Sequence, residues 1–393
     1  MLFSKKFTFL NWLLILSILT NGCYDRREVE DMSYPVAIGL DKGVTDDLRF
    51  SVQVENVGGT QGGGGMGQSG QGQATKNFVF TVDAPNPYAG MNMINTFLSK
   101  QLNFQHIKMI AVSEDLAKSG ELEKYLPGMT RIAQIREIPN LVITKGKVDD
   151  FLKENTIVVG SEIIKATYMV INLEGKNTEL FPIVKFFDFY TATKSNMEQP
   201  IATLANTNFY RNLVESGVDN KKSNTNGQPY VAGELPRSGG QKREFFGTAV
   251  FRGGKMVGEL NGDETRLLQM IRGDFTRSFM TFKDPLQKNF VLSIDVRTAR
   301  KPEITVDVQQ ETPEIHVVVS LEGDLIGVQS RINYEELELK SILEQAIARD
   351  IKQQMDELIK NASKTTNRIS FDSAIKPYLT SSLSRSGSNT NGL

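Results

Sequence analysis

Few residues in this sequence have the types that chemistry needs. Its 393 residues hold one cysteine, Cys23, and two histidines, His106 and His316. A structural zinc site takes about four Cys/His ligands, so composition argues against one, and no intramolecular disulfide can form. Residues 62–70 read GGGGMGQSG, a G-x-x-x-x-G-x-S pattern one position away from a phosphate-binding loop. That loop works because backbone N–H groups wrap the phosphates, a lysine reaches their outer oxygens and a hydroxyl holds the magnesium ion; here Gln68 stands where the lysine should. It must also open a helix. Instead LRFSVQVENV before it and FVFTVDA after it alternate apolar and polar residues, so 58–73 is expected to be a flexible Gly/Gln-rich loop between two strands. Asp263, Glu264 and Asp274 resemble an acid/base group, but the first two open an expected helix, where acids suit the positive end. His106 reads as a polar residue at a strand entrance and His316 as a packed or solvated strand residue. With no nucleophile elbow, metal set or His/carboxylate pair, neither an enzyme nor a metal or cofactor is expected.

The 45 lysines and arginines nearly cancel the 46 acids, so no net field draws the chain to nucleic acid. The start is more specific. Residues 1–22 carry Lys5 and Lys6, an apolar run from Phe7 to Leu19, then small and polar residues up to Gly22, which is the layout of a cleaved signal peptide. The run is short for a bilayer span. Cleavage after Gly22 would expose Cys23 as the new N-terminus, the arrangement of a bacterial lipoprotein, in which diacylation gives a stable membrane anchor. An ordinary signal peptide or an uncleaved anchor helix are the alternatives. Thr20 stands where such signals usually have leucine, and Leu19 lies one position earlier.

The rest reads as α+β, with mixed or antiparallel sheets packed against helices. Residues 78–153 give strand, helix, strand, helix, with Ser119 as a helix cap and Pro139 ending a helix before a strand. Residues 160–205 read as a helix followed by a helix-to-loop passage, and 212–244, rich in Asn, Ser, Gly and charge, as a linker or exposed excursion. Strands at Gly247 to Phe251 and Lys255 to Leu260 flank Arg252-Gly253-Gly254 as a hairpin. Then FVLSIDVRTARK, EITVDVQQ and EIHVVVSLEGDLIGV alternate as three strands of a sheet with one covered face. A long helix, Tyr334 to Ala362, should cover that face: Leu339, Leu343, Ile347, Ile351, Met355 and Ile359 recur every four residues, with Ile342, Ala346 and Leu358 widening the stripe. Three domains are expected: 23–205 with the 58–73 loop, a linker and middle domain at 206–285, and a C-terminal sheet plus helix with a polar tail at 286–393.

Several of these stretches resemble one family. Cys23-Tyr24-Asp25-Arg26-Arg27-Glu28, followed by Ile38-Gly39-Leu40-Asp41, is similar to the opening of the Ger(x)C spore germination lipoproteins, with Tyr24 in place of their tryptophan. Ile110 to Ala117 and Arg131 to Thr144 resemble later family stretches, and the most specific match runs through Gly247, Ala249, Val250, Phe251, Lys255, Val257, Gly258, Leu260, Glu264 and Thr265. The tail departs: members usually end on a short turn and a final strand, whereas NRISFDSAIKPYLTSSLSRSGSNTNGL shows no clear strand. The resemblance implies the C subunit of a GerA-type nutrient germinant receptor, a lipoprotein on the outer face of the spore inner membrane working with integral-membrane A and B subunits. Cys23 would carry the lipid. Arg26 and Arg27 would then lie beside anionic headgroups, either pairing with them or as part of a solvated tether. The competing reading is a solute-binding lipoprotein that captures a small-molecule germinant, which needs an enclosed pocket; the sequence shows neither an internal repeat nor an aromatic cluster to line one.

Overall fold

The computed structural model describes residues 28–56, 76–135, 139–155, 163–195, 198–208, 229–237, 239–307, 314–366 and 378–379. Cys23, Gly22, Arg26, Arg27 and the 58–73 loop lie outside these residues. The fold is α+β, built on two large sheets.

β1 (Met32–Ser33) pairs with β5 (Gln101–Leu102) as a separate two-stranded sheet, and the first large sheet begins with β2 (Pro35–Lys42). β3 (Leu48–Asn56) and β4 (Lys76–Ala84) continue it as an antiparallel pair, as the alternation of their residues requires. Next come β6 (Met109–Ser113), β7 (Asn140–Thr144), β8 (Ile201–Thr207), β9 (Arg243–Arg252) and β10 (Lys255–Leu260). The order is β10-β9-β8-β7-β6-β2-β3-β4, with β2, β6, β7 and β8 mutually parallel and antiparallel strands on both flanks. Parallel strands need crossovers, and the helices that supply them cover both faces. These are α1 (Pro87–Asn95), α2 (Glu114–Ser119), α3 (Leu122–Thr130), α4 (Val148–Lys153), α5 (Ile163–Met169), α6 (Gly175–Thr178) and α7 (Phe186–Lys194). One face packs on Leu116, Leu122, Phe186 and Phe189, the other on Val148, Phe151 and Leu152. β6 and β7 are consequently buried along their whole length.

β8 was not expected. Its residues fall in the stretch read as a helix-to-loop passage, and β8 pairs with β7 on one side and β9 on the other, so strands on both sides of residue 206 share a sheet. Ser119 does not cap the next helix either: it ends α2, and Ser113 is the residue whose hydroxyl accepts from Leu116 N at 3.3 Å.

α8 (Gly262–Arg272) leads from the first sheet to the second, which holds β11 (Arg277–Lys283), β12 (Val291–Asp307), β13 (Glu314–Val328) and β14 (Tyr378–Leu379) in that order. β12 replaces the two strands expected between Phe290 and Gln310. Pro302, which has no N–H to give, falls where the register with β13 slips between Arg300 and Glu303, so the ladder passes the proline through an irregularity instead of ending. The expected long helix is α9 (Leu337–Thr366), which lays Leu343, Ile347, Ile351, Met355 and Leu358 on the sheet face formed by Leu292, Ile294, Val296, Val317, Val319 and Leu321. Ile342 is 43 % exposed, so the buried stripe is narrower than the sequence suggested. The tail does contribute a strand: β14 pairs in parallel with Ser320 and Leu321 of β13.

Candidate functional site

The two sheets meet around three consecutive residues, Thr178, Glu179 and Leu180. α5 loosens through a wider turn, Val170–Glu174, into α6, and Glu179 stops that helix in the left-handed conformation at φ 55°. A non-glycine residue accepts that geometry only where its surroundings fix it. Here they do. Thr178 O accepts from Arg266 Nε at 3.3 Å, Arg266 Nη2 at 3.2 Å and Ser278 Oγ at 2.7 Å. Glu179 O accepts from Gln269 Nε2 at 2.9 Å, and Leu180 O from Gly247 N at 2.8 Å. The Glu179 carboxylate takes the backbone N–H and the hydroxyl of Thr276 at 2.9 and 2.6 Å. Burial raises the pKa of this carboxyl, and the Thr276 bonds offset that rise only in part.

α8 serves both sheets. Asn261 caps it, accepting from Glu264 N at 2.9 Å while the Glu264 carboxylate accepts from Asn261 N at 2.9 Å, a reciprocal capping box. Thr265 then meets Thr248 of β9, hydroxyl to hydroxyl at 2.8 Å, with both side chains fully buried, while Leu267 and Met270 enter the second core. Gly247 has φ +90°, and a Cβ there would lie 2.4 Å from Leu260 O. A Cβ on Gly262 would lie 2.4 Å from the Phe246 ring. A cleft of about 690 Å³ opens beside this junction, between α7 and the turn that follows α8. At its edge Arg272 bridges Glu198 at 2.8 Å and Asp274 at 3.1 Å. Burial works against the guanidinium's charge, but the two carboxylates outweigh it and its pKa lies above the ordinary value.

The residues singled out in the sequence do not converge. Asp263 and Glu264 belong to the first turn of α8 and Asp274 to the Arg272 pair. His106 packs at a tilt against Tyr34, ring centroids 4.8 Å apart, and His316 lies in β13 opposite Thr305. Among the described residues no group of three or more His, Cys, Asp or Glu could hold a metal ion, and no helix is long and apolar enough to cross a membrane. Sequence reasoning missed Glu179 and Arg243. Arg243 is buried beneath Phe151, 5.2 Å from the ring centroid; it donates to Asn155 Oδ1 and Thr167 Oγ1, and burial lowers its pKa to about 9. Nothing in the residue types around either one marks it, because their partners lie far away in the chain.

The motif that did carry information is the one at this junction. Gly247, Glu264 and Thr265, quoted above for their resemblance to a family pattern, are the left-handed glycine, the capping acid and the buried hydroxyl that fix α8 between the sheets. Comparison with known families agrees with that resemblance. Residues 25–207 match the spore germination protein N-terminal domain, and residues 246–374 match the spore germination B3/GerAC-like C-terminal domain. The chain belongs to the Ger(x)C family of spore germination proteins. Its relatives in Bacillus subtilis (strain 168) include spore germination protein KC, 23 % identical over 91 % of this chain and 84 % of its own length. Spore germination protein B3 is 22 % identical, covering 90 % of this chain and 84 % of its own. The crystal structure of the GerBC protein is 15 % identical, with a TM-score of 0.41 over 87 % of this chain and 96 % of that one.

Proposed function

We propose that this chain is a lipid-anchored, non-catalytic component of a spore germinant receptor. The observation that carries the reading is that both Ger(x)C domains occur in order on one chain that covers most of the length of its curated relatives. Cys23 carries the lipid, Arg26 and Arg27 lie beside the headgroups, and the folded body stands on the outer face of the spore inner membrane against integral-membrane A and B subunits. The position of Cys23 after a signal-like segment supports the anchor. The carboxylates and histidines at hand have structural occupations, which supports a role in assembly over one in catalysis. The bonds around Thr178 to Leu180 and α8 are suited to passing a displacement from one sheet to the other.

Germination triggered by nutrients, followed as loss of optical density in spores with wild-type protein, no protein or Cys23→Ala, tests this. Failure in both mutants, with normal germination by a receptor-independent trigger, is expected. Normal germination in the null mutant would overturn the reading. The cleft of about 690 Å³ favours a second reading, capture of a small-molecule germinant, since its volume falls within the range of ligand sites, about 300–1,000 Å³. Equilibrium binding of amino acids and sugars to the whole mature protein separates the two; the assembly reading expects none that is specific.

A further inference from the structure

The end of the first sheet where the chain enters carries large apolar side chains that stay exposed among the described residues. Register fixes the end: Pro35, which opens β2, lies opposite Val54, and Val54 lies opposite Phe78 of β4. Phe78 is 42 % exposed. α1 begins after β4 has crossed to the far end of the sheet and runs back, so its last turn and the residues after it return to the entrance. Met93 and Phe97 are there, 43 % and 55 % exposed, with the Phe97 ring centroid 6.2 Å from that of Phe80, which shares a strand face with Phe78. The loop after Phe97 runs straight into β5, whose partner is β1, and Leu102 N donates to Asn95 Oδ1 at 3.0 Å. The apolar patch and the start of the described chain are therefore neighbours.

From Cys23 to Glu28 is five residues, which reach at most about 18 Å when extended. A lipid on Cys23 keeps this end of the body close to the bilayer while the rest can swing away. Tethering makes the second contact intramolecular, so a surface with only weak affinity for lipid becomes occupied. We propose that Phe78, Met93 and Phe97 form the surface on which the folded body rests on the lipid bilayer, an inference that rests on the anchor at Cys23. Phenylalanine and methionine suit the headgroup–acyl boundary, where apolar side chains insert while the backbone stays wet. The patch itself is apolar and its surroundings carry both signs: Glu28, Glu30, Asp31 and Lys100 are exposed near it, and Lys76 opens β4 two residues before Phe78. The occupant that three apolar side chains call for is accordingly lipid acyl chain.

The only tryptophan, Trp12, lies in the signal segment, so Phe97→Trp gives the mature chain a single reporter. Lipidated full-length mature protein carrying this change is placed in phosphatidylcholine vesicles with brominated acyl chains, and mass spectrometry of the same sample reads the lipid on Cys23. A second reporter, Phe279→Trp, replaces a side chain 64 % exposed on the other sheet. Bromine should quench the first reporter about twofold or more relative to the second, with little change at high salt, and adding Phe78→Asp should abolish the difference. Equal quenching of the two reporters, or none in acylated protein, would overturn the patch and leave a protein partner as its occupant. An unacylated Cys23 would overturn the anchor itself.

Discussion

β6 and β12 are both interior strands of their sheets, yet they are built on opposite rules. In β6, Ile110 and Ala111 point to opposite faces of the sheet and both are completely buried. In β12, Ser293 and Ile294 also point to opposite faces, but only Ile294 is buried. The first sheet is sandwiched between helices because parallel strands require crossovers, whereas β11, β12 and β13 of the second form an antiparallel meander that needs a single cover, supplied by α8 and α9. Its open face is held by ion pairs instead: Arg277 on Asp295, and Arg297 on Glu322 and Asp324. The first sheet can therefore offer surface only at its ends and edges, where the apolar patch lies, while the second keeps a whole face free.

The largest expected effect breaks this comparison directly. Ile110→Asp and Ala111→Asp should each cost more than about 4 kcal/mol, enough to prevent folding, since either face buries an unpaired charge. Ile294→Asp should be as damaging, and Ser293→Asp should stay within about 0.5 kcal/mol. Urea unfolding of the four variants reads the outcome. A folded Ala111→Asp protein would mean that the second face of the large sheet is not covered.

Next in size are the positions that join the sheets. Gly247→Ala adds a Cβ in the left-handed region and drives it toward Leu260 O. About 1–3 kcal/mol is expected from the conformation alone, with more from the backbone shift. Gly239→Ala is the control, with φ +77° and open space around it. A loss at Gly247 no greater than at Gly239 would remove the close approach of β9 and β10 from the account.

What could be read in advance follows the same division. α9 was legible because its leucines and isoleucines repeat at helical spacing over many turns, and the β9–β10 hairpin because Gly253 and Gly254 sit between two short runs. β8 was not, because I-A-T-L-A-N-T in a sandwiched sheet has no alternation to show, and its small residues fit a loop equally well. β12 was cut in two because proline normally ends a strand, and only the β13 register reveals the irregularity that admits Pro302. Glu179 was invisible for a different reason: its burial depends on Thr276 and Gln269, about ninety residues later, and no local pattern encodes such a meeting. At the junction, only the glycines and the Asn261–Glu264 spacing left a local trace.

Glu179 gives a smaller, pH-dependent test. Its folded pKa lies above the ordinary carboxylate value, so between those two values the folded state binds more protons than the unfolded one. Stability contributed by this group is therefore full at low pH, falls as pH rises through that window, and is flat above it. Glu179→Gln keeps an oxygen for Thr276 N–H and removes the charge. Thermal unfolding should show a shallower decline with pH in that window, and a variant at least as stable as the parent near neutral pH. An unchanged slope would show that the carboxyl is not desolvated.

The smallest effect sharpens the contrast at the open face. Arg297 donates to Glu322 at 3.1 Å and Asp324 at 2.6 Å, with all three side chains about one-third exposed. Exposed ion pairs are screened by salt, because ions crowd charges that water can reach. Arg297→Gln should lower the melting temperature slightly in dilute buffer, and the difference should vanish in about 1 M salt, where the Debye length is about 3 Å. Ile110→Val, a loss confined to a dry layer, should keep its deficit at every salt concentration. If salt erased both differences alike, the open face and the sandwiched one would not be distinct environments. If it erased neither, a further layer would have to cover the ion pairs, and the second sheet would be as closed as the first.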